Sequence, residues 1–259
     1  NTLHGDKKGF QDVVWDAKPI GENALELTYT SKDMEEGFPG NLQVKVTYTL
    51  TDDNEMKIDY ERLKKTSFLL QTGHIIQSLI GPIMGGYAGG PAETAVVTTA
   101  HLFLGALIFR SEINCIFPFH INYTCNTTSE ILWLIALCCQ AVSRNSQMLL
   151  LPACMGQAGP CTEMSFYEFA ALALTATVSG ASSLNLGAQT MNRFDERWTG
   201  FSPKLGAQVG HIAARMGITR KDANEIVMKI VKEYKELHKN PPLGKKFSEC
   251  YNVDTLQPT

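Results

Sequence analysis

Residues 81–121, GPIMGGYAGGPAETAVVTTAHLFLGALIFRSEINCIFPFHI, decide how the chain reads. A glycine-rich stretch from Gly81 to Gly90 gives way to a long apolar segment from Pro91 to Ser111. Gly90 reads as the N-cap, Pro91 as the first helical residue and Glu93 as a first-turn acid, so a helix is predicted. Ile113-Asn-Cys-Ile-Phe-Pro-Phe-His-Ile is then strand-like. Upstream, Ser67-Phe-Leu-Leu-Gln is a short apolar run preceding the glycines. Downstream, Thr127-Thr-Ser-Glu130 is a capping-box pattern that opens a helix to about Ser143. Gln147-Met-Leu-Leu-Leu-Pro reads as a buried strand, Gly159-Pro160 opens a helix to about Val178, and Ser183-Leu-Asn-Leu-Gly is a fourth strand. Strands alternating with helices imply a parallel sheet. Four such units make half of an eight-stranded barrel or one small doubly wound sheet. Gly90-Pro-Ala-Glu-Thr and Gly159-Pro-Cys-Thr-Glu form a weak internal repeat at two loop-to-helix turns, the face on which βα barrels place their sites.

The first sixty residues have another texture. Ala24-Leu-Glu-Leu-Thr-Tyr-Thr and Leu42-Gln-Val-Lys-Val-Thr-Tyr-Thr-Leu alternate apolar and polar residues, with turn chemistry at Glu36-Gly-Phe-Pro-Gly-Asn, and a third strand starts at Glu55. An antiparallel meander follows, barely stable alone. Charge divides at the same place. Residues 1–61 hold 6 basic against 13 acidic residues, and residues 62–259 hold 17 against 13. The expected fold class is therefore α/β: a partial TIM-type (β/α) barrel over residues 61–259, with C-terminal helices, preceded by a short antiparallel β-segment over residues 1–60. Thr219-Arg-Lys-Asp222 caps the C-terminal helix, whose stripe is read as Ile226, Ile230 and Tyr234, packed on the outside.

Composition excludes several classes. With 44% hydrophobic and 19% charged residues, a net charge of -3 and a mean hydropathy of -0.09, the chain is neither disordered nor collagen-like. No basic run with interleaved aromatics points to nucleic acid. The polar first ten residues suggest no leader, and the apolar runs 102–109 and 131–139 fall short of a membrane span. Seven cysteines, at 115, 125, 138, 139, 154, 161 and 250, include no C-x-x-C and are odd in number, which predicts a reducing, cytoplasmic setting. Cys115, His120 and Cys125 lack a fourth ligand, so no metal site is expected. Exposed, the apolar segments of a half barrel would aggregate, so a homo-oligomer that closes the barrel is a further expectation.

The motifs GGYAGGPAET (85–94), His120-Ile121, Thr128–Ile131, AGPCTEM (158–164) and GKKFSECYNV (244–253) occur in one order and spacing from about Ile58 to Thr259. This stretch resembles the monomethylamine:corrinoid methyltransferase family. The resemblance implies a TIM barrel that transfers a methyl group from a small methylated amine to the cobalt of a corrinoid carried by a partner protein. It implies no cofactor held directly by this chain, and an N-terminal half barrel bearing pyrrolysine that the present sequence does not include. It also puts the family's active-site glutamate at Leu79, and its glutamine and tyrosine at Ala153 and Met155. None of these three side chains supplies the hydrogen-bond partners a methylammonium needs. The chain is therefore expected to be inactive as it stands, or to take a different substrate. The candidate catalytic residues are His120, Gln157 and Glu163.

Leu3-His4-Gly5, Gly9-Phe10, Val13-Val14-Trp15, SKDMEEGFPGNL (31–42) and VTYTLTDDNE (46–55) resemble a second family, aldose 1-epimerase (galactose mutarotase). That resemblance implies carbohydrate binding through His4 and an alternative function, epimerisation at an anomeric carbon. The family's general-acid histidine and general-base glutamate have no counterpart here. The string Asn54-Glu-Met-Lys-Ile-Asp-Tyr60 fits both patterns, so a non-functional chimera joined at this point is the third reading.

Overall fold

The computed structural model describes residues 10, 12–35, 40–52, 56–60, 66 and 69–259, the side chains of 56–60 and of residue 192 excepted. The chain divides into two units, residues 1–74 and 75–259. The first is an antiparallel meander of β1 (Asp16–Ile20), β2 (Ala24–Ser31), β3 (Leu42–Leu50) and β4 (Met56–Tyr60), in that order. The strand not foreseen is β1. Its sequence, Asp-Ala-Lys-Pro-Ile, is exposed throughout and carries no alternation, and Pro19 is tolerated because β1 is an edge. Gly21, at φ +64, makes the tight turn into β2. Among the described side chains of the four strands, only Val46 is a buried apolar one, so the meander has a thin core.

The second unit carries the parallel sheet. Its strands are β5 (Gln77–Ile80), β7 (Ile113–Ile116), β9 (Leu149–Met155) and β10 (Asn185–Ala188), parallel and adjacent in sequence order. Two short strands, β6 (Ile83–Met84) and β8 (Phe119–His120), pair in parallel just past β5 and β7. Pro82 and Pro118 separate them from β5 and β7, because a proline has no N–H for the ladder. Within the apolar run at 67–71, the described residues Leu69–Gln71 are helical, and the first parallel strand starts at Gln77.

Helices fill the crossovers: α1 (Pro91–Ile108), α2 (Ser129–Asn145) and α3 (Glu163–Val178), then α4 (Phe201–Met216), α5 (Arg220–Tyr234), a 3-10 turn (Lys235–Lys239) and α6 (Phe247–Cys250). Two starts differ from expectation. Thr128, not Thr127, caps α2 by accepting from the amide of Ile131, because the Thr127 hydroxyl is engaged elsewhere. Gly159-Pro160 precedes α3 without opening it, and Thr162 is the cap. The buried stripe of α5 is Ala223, Val227, Val231 and Tyr234, while Ile226 stays exposed. As a helix, α1 is long and apolar enough to cross a membrane by length and composition, correcting the shorter runs read from sequence. Its stripe of Thr94, Ala95, Thr98, Leu102 and Gly105 is buried, while Phe103, Leu104 and Leu107 are exposed.

Strand residues alternate between two faces. Ile80, Ile116, Leu150 and Cys154 point to the helices and join Leu102, Ile135 and Phe169 in the core. The parallel register places Leu79 beside Cys115 and Cys115 beside Leu151 on the opposite face, with Ala153 and Met155 further along β9. Among the described residues, the core shared with the helices is built from the first face.

Candidate functional site

In parallel α/β sheets, ligands are held beyond the carboxyl ends of the strands. Here β8 ends at His120, and Gln157 follows β9 by two residues. The neighbouring loop, 121–128, is fixed to β9 by Asn126, whose amide group donates to the Ala153 carbonyl (2.5 Å) and accepts from the Met155 amide (2.8 Å).

Below these strand ends lies a buried polar cluster centred on Glu168 of α3, which is fully buried. One carboxylate oxygen accepts from the Thr127 hydroxyl (2.6 Å) and the Gln157 amide (2.8 Å), and the other from the Ala158 amide (3.0 Å). Burial pushes Glu168 up from the ordinary 4.5 to about 7, against the pull of those three donors. The Thr127 carbonyl in turn accepts from the hydroxyl of buried Tyr234, at 2.5 Å. Gln157 presents its side-chain oxygen to Nδ1 of His238 at 2.7 Å. An amide oxygen only accepts, so Nδ1 carries the proton and Nε2 is bare. That Nε2 is buried with no hydrogen-bond partner. Burial, and then the neighbouring His120, hold His238 down to about 4, so the ring is neutral. Tyr123 stacks on it at 5.3 Å and lies 4.7 Å from the ring of His120.

Cys125, Glu168 and His238 offer ligand-type atoms within 4.8 Å of one another, all buried. Both Glu168 oxygens serve three donors, Nδ1 serves Gln157, and burial, with Glu168 beside it, pushes the Cys125 thiol up to about 12. The arrangement is a hydrogen-bonded clamp on the loop after β9.

A second grip on this loop is made backbone to backbone. The Gly159 amide donates to Pro242 (2.8 Å) and the Lys245 amide to Pro160 (3.0 Å). A Cβ on Gly159 would lie 1.8 Å from the Leu243 carbonyl oxygen, and one on Gly244 2.0 Å from that of Pro160. Only glycines permit this approach. The AGPCTEM and GKKFSECYNV motifs are thus one contact in space.

Of the residues singled out from sequence, His120 and Gln157 belong to one cluster, linked through Tyr123 and His238. Glu163 does not. It is exposed at the first position of α3, where a carboxylate complements the helix dipole. His4 lies outside the described residues. Sequence reasoning missed Glu168, His238, Tyr123 and Cys125 as partners. Glu168 had a signal: it is the one charged residue between 164 and 178, inside an apolar helix, where a carboxylate must be paired. His238, in the lysine-rich segment KELHK, had none.

The strand-face alternation also places Leu79, Ala153 and Met155 on the same face, opposite the helix core, with Leu79 exposed.

Comparison with known proteins gives one consistent result. The family model for monomethylamine methyltransferase MtmB matches residues 21–259. Monomethylamine methyltransferase MtmB1 of Methanosarcina barkeri is 30% identical over 220 residues, 85% of this chain and 48% of the relative. MtmB1 of Methanosarcina acetivorans is 32% identical over 206 residues, 80% and 44% of the two. The crystal structure of the Methanosarcina barkeri monomethylamine methyltransferase superposes with a TM-score of 0.73 at 31% identity, covering 76% of this chain and 42% of that one, and its hydroxylamine complex gives the same values. The chain spans about half the length of the relatives it matches. The family match starts at residue 21 and runs across the junction read from sequence at residues 54–60, which leaves a chimera unsupported. The aldose 1-epimerase resemblance is not shown by these comparisons.

Proposed function

Because the chain belongs to the monomethylamine methyltransferase family, we propose that residues 75–259 form half of a (β/α) barrel built for methyl transfer from a small methylated amine to a corrinoid carried by a partner protein. The observation that carries this reading is the strand order. Four parallel strands, β5, β7, β9 and β10, lie side by side in chain order and, among the described residues, build the core shared with the helices from one face, as in a barrel wall. A doubly wound sheet would have helices on both. The opposite face is then the barrel interior, and the cluster of His120, Tyr123, His238 and Gln157 stands at its catalytic rim.

Leu79, Cys115, Leu151, Ala153 and Met155 line most of that interior, and none is a strong acceptor for N–H donors. The polar side chains on the same strand face are the amides of Gln77 and Asn185, the latter donating to Cys115 Sγ at 4.0 Å, and neither is a carboxylate that would balance an ammonium charge. No step through a bound methylammonium is therefore assigned to these residues. What the chain itself does is hold the β9 loop: Glu168 fixes two of its amides, and His238 orients the Gln157 side chain.

Two measurements test the reading. Incubated with monomethylamine and a reduced corrinoid protein, the chain alone should give no methyl-cobalt signal by visible spectroscopy. A signal that depends on this chain would overturn the assignment of an interior without a carboxylate for the ammonium. The chain should still associate with the corrinoid protein in analytical ultracentrifugation, since the rim is present. Absence of any complex at tens of micromolar, a weak affinity of about -6 kcal/mol, would sink the partner assignment.

A further inference from the structure

We propose that Cys161 and Cys250 are a preformed dithiol that a low-molecular-weight disulfide oxidises to an intramolecular cross-link. The two sulfurs lie 3.5 Å apart although 89 residues separate them in sequence. Closing to a disulfide length of about 2 Å needs a side-chain adjustment and no new backbone approach. The approach already exists. Cys161 directly follows Gly159-Pro160, Cys250 ends α6, and the paired amides of Gly159 and Lys245 hold the two segments together. Cys161 is also locked in the left-handed region, at φ +60, which fixes where its side chain leaves the chain.

The other thiols do not compete. Cys115, Cys125, Cys138, Cys139 and Cys154 are buried, and burial pushes each thiol up, away from the reactive thiolate. Cys250 is buried too and is pushed up to about 11, by burial first and then by Cys161. Cys161 alone is exposed. It is therefore the sulfur that an incoming disulfide meets, and Cys250 is the resolving partner.

The chemistry balances as two exchanges. The Cys161 thiolate attacks one sulfur of RSSR, its S–S bond breaks, and one RS⁻ leaves with a mixed disulfide formed on Cys161. The Cys250 thiolate then attacks the Cys161 sulfur and expels the second RS⁻. The two protons given up by the cysteines end on two RSH, so the protein dithiol is oxidised by two electrons and the small disulfide is reduced. The product would tie residues 242–250 covalently to the loop after β9.

The test uses the reduced, folded chain and oxidised glutathione, with mass mapping of a non-reducing digest. A cross-linked peptide pair containing Cys161 and Cys250 should dominate, and dithiothreitol should remove it. Because the sulfurs are preplaced, the folded chain should cross-link this pair about tenfold or more faster than the chain unfolded in urea. Cys250→Ser should stop at the glutathione adduct on Cys161. The idea is overturned if the native wild-type chain stays at that adduct, cross-links other cysteines, or joins 161 to 250 no faster folded than unfolded. These arms use the wild-type chain, so a variant that fails to fold leaves the test standing.

Discussion

Glu168→Ala will lower the stability of the chain by about 4 kcal/mol, within the range for removing one partner from a buried charged network. The loss comes less from the carboxylate than from what it leaves behind. The Thr127 hydroxyl and the amides of Gln157 and Ala158 would all be buried without an acceptor, and each orphaned donor costs about 1–3 kcal/mol. Glu168→Gln will not restore the site, because its amide nitrogen would face a donor where the carboxylate faced it with a lone pair. Urea unfolding followed by circular dichroism measures the effect. A loss below about 1 kcal/mol for the alanine variant would mean that water replaces the carboxylate and the clamp is not structural.

The second large effect is hidden in the wild type. Glu168 has a folded pKa of about 7 against an ordinary 4.5, so between these values the folded chain keeps a proton that the unfolded chain has released. Its contribution therefore falls as pH rises through that window. His238 has a folded pKa of about 4 against an ordinary 6.5, so between these values the unfolded chain holds a proton that the folded chain lacks. Its contribution rises with pH. Each slope is about 1.4 kcal/mol per pH unit, and between pH 4.5 and 6.5 the two oppose each other. The pair is thus close to pH-neutral in the intact chain. His238→Gln removes the rising arm, and the gap between wild type and variant should widen in favour of wild type by about 2 kcal/mol from pH 4.5 to 6.5. A gap that stays constant across this range would show that His238 is not held neutral by burial.

The sheet and its helices were legible because burial on one or both faces leaves long apolar signatures. The helix expected over 91–111 spans 91–108, the strand expected over 147–152 spans 149–155, and the strand expected over 113–121 is two short ones, 113–116 and 119–120, parted at Pro118. Cap positions slipped by one to three residues where a side chain had a tertiary task, as at Thr127, whose hydroxyl belongs to Glu168. The strand at 16–20 left no pattern because nothing covers it. In the candidate site, His120 and Gln157 could be named from their places after strands. Their link could not, because it passes through His238, 81 residues away from Gln157 in sequence, in a segment whose lysines read as solvent-facing. Local pattern does not encode a contact of that span; only the burial of Glu168 in an apolar helix hinted that a polar centre lay there.

The glycine-to-glycine seam between residues 159–160 and 242–245 also has a temporal meaning. The loop after β9 emerges early, but two of its backbone partners, Pro242 and Lys245, are about eighty residues further along. Until α4 and α5 have formed and brought that segment back, the loop has Glu168 to hold it but no seam. Contacts of such long separation close late, since the loss of chain freedom comes before any contact compensates it. The loop at Gln157 is therefore expected to become rigid near the end of folding, after the helical core beneath it is in place. A nascent chain halted at residue 240 would carry every residue of the His120–Tyr123–His238–Gln157 cluster and still lack its final shape.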